Sequence, residues 1–427
     1  MRRWINICKE LLSKIILTFF LLLIYRLATY IPLPGVSFKD IRHLSTRGII
    51  QIISAFTGVN FSRASIISLG IMPYISSSIF IQFISFAFPY LQKIEVSIGS
   101  RKRNYITRWL TIVVCLLQSP VYLIAMTYQF LPFFYMPKAY IIDISYYRTK
   151  AFFFLICMFL LTIGTLFCLW MGEKITEKGI YNGISLIIIT GIIARFPEYI
   201  AMEVKNSLEL GNIGFIFLFF EAIIWLIIIF FTLCIIQIVS KVPLQYVRYI
   251  HTNNVSMSRG YIPLKVTASG VMPIIFSETI MLLTRSLLTN LSYEKKIKTF
   301  FENVYGFWYN CIFIILMIVF TFFYRSIALP INKMVYDLKR NEAYIPRVKP
   351  GKETIDLLSE IYYKITFTGA LLLAIIATFP TLIVKVGINR SLSLFYGGTS
   401  LLIIVGVVLD TLQHVHTYLH TYDYLII

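Results

Sequence analysis

Four ionisable side chains lie inside or beside strongly apolar runs: Arg26, Glu221, Glu278 and Arg285. A charge at membrane depth is costly and normally marks an ion, proton or substrate path, so these are the first residues to test for chemistry. None of the four forms an evident pair. The histidines come next. Of His414, His416 and His420, only His416 and His420 stand four apart on one helical face, the spacing at which two imidazoles reach a metal; a solvated tail is the simpler reading. No His-Glu-x-x-His, phosphate-cradling glycine loop or Cys-His metal spacing occurs. Cys8, Cys115, Cys157, Cys168, Cys234 and Cys311 show no pairing pattern, lie mostly in apolar runs, and read as small buried hydrophobes. The expectation is therefore no catalytic residue, no metal, no cofactor and no enzyme.

What recurs is isoleucine beside glycine, proline and small hydroxyls. Gly70-Ile71-Met72-Pro73-Tyr74-Ile75 returns as Gly270-Val271-Met272-Pro273-Ile274-Ile275, and Tyr181-Asn182-Gly183-Ile184-Ser185-Leu186-Ile187-Ile188 is echoed by Tyr396-Gly397-Gly398-Thr399-Ser400-Leu401-Leu402-Ile403. A passage lined at its narrowest by branched alkyl groups repels water and ions, because an apolar constriction gates by dewetting.

The elements that position these residues are membrane spans. Hydrophobic residues make up 58% of the chain, charged residues only 14%, and mean hydropathy is +0.78, whereas soluble domains carry about 25% charge. At about 20 apolar residues per span, ten runs qualify: Ile15–Ile31, Ala64–Phe88, Trp109–Leu131, Phe152–Trp170, Ile180–Ile193, Ile213–Val239, Val266–Leu283, Trp308–Tyr324, Ile365–Val384 and Leu394–Leu409. The echoes occupy the second and fifth runs of each half. With five spans per half, the second copy is inverted, the plan of membrane transport proteins whose pathway lies between their repeats. The expected fold is an all-α polytopic membrane protein of ten transmembrane helices, with halves at 1–212 and 213–427. The fifth span is short, opens on Gly179 and Gly183, and reads as buried among other helices.

Ten spans put both termini on one side. The dense clusters Arg2/Arg3/Lys9/Lys14 and Arg101/Lys102/Arg103/Arg108 make that side cytoplasmic. The net charge of +19 suits anionic lipid, and the loops would also suit ribosomal RNA. The first run is long enough to be a permanent span, without a cleavable signal. Two long polar loops, 241–265 and 325–364, face the same side, as docking surfaces do. Between the first two spans, about 48–61 is apolar yet too short to cross, and reads as an interfacial helix, a re-entrant segment or a stopper.

Arg63-Ala64-Ser65-Ile66 with Gly70–Ser76, then Gly172-Glu173-Lys174-Ile175-Thr176-Glu177-Lys178-Gly179-Ile180 with Asn182-Gly183-Ile184-Ser185, Tyr261–Val266, and Phe395–Ile403 resemble the SecY family, the central channel subunits of the Sec translocase. The likeness runs in order from span one to span ten. It implies a clamshell of two inverted five-helix repeats hinged between spans five and six, which passes unfolded polypeptide and releases apolar segments sideways. The implied pore ring is Ile71, Ile75, Ile184, Ile188, Ile275 and Ile403. The implied plug is the stretch containing Ile49, Ile50, Ile52, Ile53 and Phe56. The implied lateral gate sets Ser76, Ser78 and Gln82 against Thr267, Ser269 and Ser277. Implied motor or ribosome contacts are Arg248, Arg259, Arg347, Lys349 and Lys352. The implied partners are SecE-like and SecG-like small subunits, a SecA-type ATPase, the ribosome, signal peptides, unfolded client chains and membrane lipid. The expected location is the cell inner membrane, with an organellar membrane as the alternative, and the rival function is an inverted-repeat secondary transporter. The chain departs from the family pattern at His251-Thr252-Asn253-Asn254, where adjacent arginines are usual, at Lys349, where Arg precedes Pro-Gly, and at Thr267, commonly Asn.

Overall fold

A computed structural model describes residues 2–34, 65–87, 100–130, 144–194, 196–209, 212–249, 255–266, 272–291, 306–328, 331–385 and 398–424. In chain order the elements are α1 (Arg2–Ala28), α2 (Met72–Ala87), α3 (Ser100–Phe130), α4 (Ile144–Lys178), α5 (Gly183–Ile193), α6 (Phe196–Glu209), α7 (Asn212–Gln237), β1 (Val239–Tyr249), β2 (Val255–Lys265), α8 (Met272–Leu291), α9 (Phe307–Ala328), α10 (Ile331–Arg340), β3 (Ala343–Tyr344), α11 (Lys352–Lys385) and α12 (Gly398–Tyr424). Among the described residues, each of the ten apolar runs overlaps a helix. Among the described residues, seven helical stretches are long and apolar enough to cross a membrane. Their outward faces carry large apolar side chains, among them Phe19, Phe219, Phe230 and Phe307, each at least 68% exposed. Helices that are apolar all round belong in lipid.

The chain packs as two compact units: Met1–Ala201 with Val407–Ile427, and Met202–Gly406. The end of α12 thus belongs with the first unit, where a division between 212 and 213 would assign it to the second. In the first unit a core of Leu33, Leu69, Cys115, Tyr122, Leu123, Cys157 and Leu161 joins α3 and α4 to the segment that leads into α2. Cys115 Sγ lies 2.9 Å from Thr165 Oγ1. Cys115, Cys157 and Cys168 are buried as expected, whereas Cys234 is exposed and Cys311 half-buried.

In the second unit Ile235, Ile274, Met281, Phe313, Met317, Leu373, Ile376 and Leu402 form one core from α7, α8, α9, α11 and α12. Thr381 Oγ1 donates to Asn310 Oδ1 at 2.9 Å, a polar contact between α11 and α9. A second cluster corrects two expectations. The segment 241–265 is a β-hairpin, Val239↔Lys265 to Tyr249↔Val255, extended by β3 into an antiparallel sheet of order β2-β1-β3. The fold is a mostly helical, polytopic one as expected, with this small sheet added to it. Alternation explains the hairpin: Val242, Leu244, Ile262 and Leu264 are buried, while Lys241, Pro243, Tyr261 and Pro263 point outward. The segment 325–364 is likewise folded. Ile331, Met334, Val335 and Leu338 in α10 follow the i, i+3, i+4, i+7 rule and cover the hairpin together with Leu358 and Tyr362 of α11.

Candidate channel helices

In both copies the repeated phrase starts a helix at its Met-Pro. In the first copy Pro32 bridges Ser65, Gly70 N–H donates to Ile67 O at 2.9 Å, and Gly70 turns through φ +53°, a conformation glycine adopts without steric cost. Helix α2 then begins at Met72 and α8 at Met272, the same place in the phrase. Each has proline as its second residue, where a missing N–H leaves no helical bond unmade. Ser77 Oγ donates to Pro73 O at 2.6 Å, and Ser277 Oγ to Pro273 O at 2.8 Å. Both serines are fully buried. The second echo also starts its helices in step, α5 at Gly183 and α12 at Gly398, and matched Ile187 and Leu402 are 1% and 2% exposed.

The start of α5 is held by the residues around Gly172-Glu173-Lys174. Arg108 Nε and Nη2 each donate to a Glu173 carboxylate oxygen at 2.8 Å, tying α3 to α4 in the two-pronged geometry that gives such pairs their directionality. Gly183 lies against the carbonyl oxygen of Gly172, and a Cβ there would strike it. Thr176 Oγ1 donates to Gly172 O at 2.8 Å and accepts from Gly183 N–H at 2.9 Å. Asn182 caps α5, its Oδ1 accepting from Ile184 N–H at 3.1 Å. The motif thus holds the start of α5 against α4, a role its charges and glycines did not announce in the sequence. Gly183, Ile187, Ile189, Gly191 and Ile192 are buried, in keeping with a fifth helix shielded from lipid.

Of the expected pore-ring residues, Ile71 lies just ahead of α2, Ile75 on α2, Ile184 and Ile188 on α5, Ile275 on α8 and Ile403 on α12. Ile71 and Ile75 are 4% and 7% exposed, and Ile75 N–H donates to Ile71 O at 3.1 Å. Ile184 and Ile188 are half-buried one turn apart on α5, Ile275 is half-buried on α8, and Ile403 is 3% exposed on α12. Of the expected gate residues on α2, Ser76 Oγ donates to Met72 O at 3.0 Å and Gln82 Nε2 to Ser78 Oγ at 3.4 Å. Ser76 and Ser277 therefore spend their protons within their own helices and remain acceptors. Thr267, Ser269, and the plug positions Ile49, Ile50, Ile52, Ile53 and Phe56 lie outside the described residues.

Arg248 sits on β1 opposite Ser256, and Arg259 on β2 opposite Gln245. Arg347, Lys349 and Lys352 are exposed around a tight turn, with Arg347 at φ +68°. That turn is fixed by Lys349 N–H donating to Glu353 Oε2 at 3.3 Å and Thr354 Oγ1 donating to Lys349 O at 2.9 Å. A cavity of about 220 Å³ opens beside it, lined by Val335, Leu338, Ile345, Thr354 and Ile355.

Among the isolated intramembrane charges, Arg26 stacks 5.4 Å from the Tyr30 ring, and Glu221 is buried with Oε1 lacking a hydrogen-bond partner among the described residues. The exposed His414 ring meets Tyr181 edge-on, and His416 is exposed.

An internally duplicated, multi-pass membrane protein with buried isoleucines on matched helices is the class these observations define. The SecY family profile matches residues 65–412. The chain is 32% identical over 423 residues to the protein translocase subunit SecY of Helicobacter pylori, covering 97% of this chain and 98% of that one. It is 33% identical over 420 residues to the Aquifex aeolicus subunit, covering 96% and 95%. A solved structure described as that of a protein conducting channel aligns with TM-score 0.68 at 18% identity, over 96% of this chain and 93% of the other. The chain belongs to the SecY family.

Proposed function

We propose that this chain is the protein-conducting channel of a Sec translocase. Unfolded secretory polypeptides cross the membrane through a ring of Ile71, Ile75, Ile184, Ile188, Ile275 and Ile403, and apolar segments leave sideways between α2 and α8. The observation that supports this reading is that the repeated stretches begin their helices in step, α2 with α8 and α5 with α12, in keeping with a pathway between two copies of one plan. Alkyl walls give a translocating chain nothing to bind and give water little to wet. The segment at about 48–61 closes the resting pore from outside.

The chain hydrolyses nothing itself. A SecA-type ATPase or a translating ribosome supplies the drive, docking on the hairpin and on the turn that presents Arg347, Lys349 and Lys352. SecE-like and SecG-like subunits complete the complex in a cell inner membrane, with both termini cytoplasmic. The seam opens because a signal peptide offers more apolar contact than a few small hydroxyls do: about ten apolar residues at ~0.3–0.6 kcal/mol each outweigh hydrogen bonds of roughly 1 kcal/mol or less. The test replaces Ser78 and Ser277 by cysteine in the reconstituted complex. Oxidation to a disulfide is expected to stop precursor import into proteoliposomes, and reduction to restore it. Import unaffected by a formed disulfide would remove the seam from the mechanism.

A further inference from the structure

Arg325 is a cation without an anion at the edge of the membrane. The eighth apolar run ends at Tyr324 and the ninth begins at Ile365, so Arg325 on α9 and Lys364 on α11 each stand one residue outside the hydrocarbon. Contacts within the second unit show that these two ends are level. The Phe322 and Tyr363 rings lie 5.3 Å apart, Arg325 Nη2 donates to Ser359 O at 3.2 Å, and the guanidinium lies 5.8 Å from the Tyr363 centroid. One carbonyl and one ring hold the half-buried side chain in place, and among the described residues no carboxylate pairs with it. A guanidinium carries five N–H donors in a fork that matches phosphate oxygens, so donors remain for a ligand from outside the chain.

From that boundary inward, α11 presents one apolar line. Tyr363, Phe367, Leu371 and Ile375 are exposed and recur every four residues, along one face of the helix, while Tyr362, Thr366, Ala370 and Leu373 turn inward. The line is about 18 Å long at 1.5 Å per residue, close to the depth of one leaflet, about 15 Å. It opens on a tyrosine, whose amphipathic ring suits the headgroup level. Lys364 Nζ stands beside it, donating to Glu360 Oε1 at 2.7 Å with both groups exposed. We propose that this is a site for a phospholipid of net negative charge, its phosphate on Arg325 with Lys364 alongside and one acyl chain along Tyr363, Phe367, Leu371 and Ile375. A phospholipid supplies both parts that the surface lacks, an anion at the boundary and a chain directly inward of it, and basic residues at this level attract anionic lipid.

The experiment uses the full chain in its complex, purified in detergent with phosphatidylglycerol or phosphatidylcholine added at equal concentration, and counts retained lipid by native mass spectrometry. The parent should retain phosphatidylglycerol over phosphatidylcholine. Arg325→Gln should lower phosphatidylglycerol retention about fivefold, the effect of one basic residue at an anionic surface, and leave phosphatidylcholine unchanged, whereas Arg325→Lys should keep most of the preference. Glu360→Gln, a change at an exposed position, frees Lys364 and should raise phosphatidylglycerol retention; a fall would contradict the site. Excess inorganic phosphate, which brings no chain, should not compete, and benzoylphenylalanine in place of Phe367 should cross-link to lipid on illumination. Equal retention of the two lipids by the parent, or a preference that survives Arg325→Gln, overturns the proposal. Displacement by inorganic phosphate would reduce it to a bare anion site, and capture of a small membrane subunit at position 367 would assign the apolar line to a protein partner; either result overturns it as well.

Discussion

In α2 the residue after Ile75 is Ser76, half-buried and bonded back to Met72 O. In α8 the matching residue is Phe276, 2% exposed, its ring edge-on to Phe320 and Tyr324 with centroids 5.9 and 6.0 Å away. Two positions further, Ser78 faces Glu278 in the comparison, and Gln82 faces Leu282. What the copies share is Met-Pro at the helix start and a buried serine on the proline carbonyl, residues that shape the backbone. What they do not share is the surface that meets neighbours. Duplication preserved the way each helix begins, while the two faces diverged: α8 is anchored in its own unit by aromatic packing, and α2 carries a polar stripe.

The comparison breaks most readily at Phe276. Phe276→Ala should lower the stability of the purified protein by about 3 kcal/mol, through the cavity left beside α9, whereas Ser76→Ala should change it by less than about 0.5 kcal/mol; thermal unfolding in detergent measures both. Similar losses would show that α2 is anchored as firmly as α8. Gly183→Ala comes next, at roughly 2 kcal/mol, because the new methyl must displace the Gly172 carbonyl. The same assay reads it, and a neutral result would mean that α5 is not clamped there. The smallest effect sharpens the likeness: Ser77→Ala and Ser277→Ala should each cost about 1 kcal/mol or less, and equally, since each removes one hydroxyl bond to a proline carbonyl.

The helices are legible because spans are written in long apolar runs, and each run overlaps a helix among the described residues. Their ends were less so. Helix α11 begins at Lys352, well before its apolar run at Ile365, because Thr354, Leu358 and Tyr362 bury against α10 and the sheet rather than in lipid. The hairpin was read as a polar loop although Val242, Leu244, Ile262 and Leu264 alternate, a period-two signal hidden by the basic residues around it. The ring positions are what the family resemblance implies, and the repeats add only that Ile75 matches Ile275 and Ile188 matches Ile403. Tyr181 was visible within an echo, but its bond to Asp410 joins residues 229 apart, and no local pattern reports such a pairing.

The most direct measurement is the ion conductance of the purified resting channel in a planar bilayer, with Ile75 and Ile275 changed to serine singly and together. If the two copies supply one dry constriction, the parent stays tight, each single variant leaks slightly, and the double variant conducts ions well above either. A double variant as tight as the parent would contradict a shared isoleucine ring.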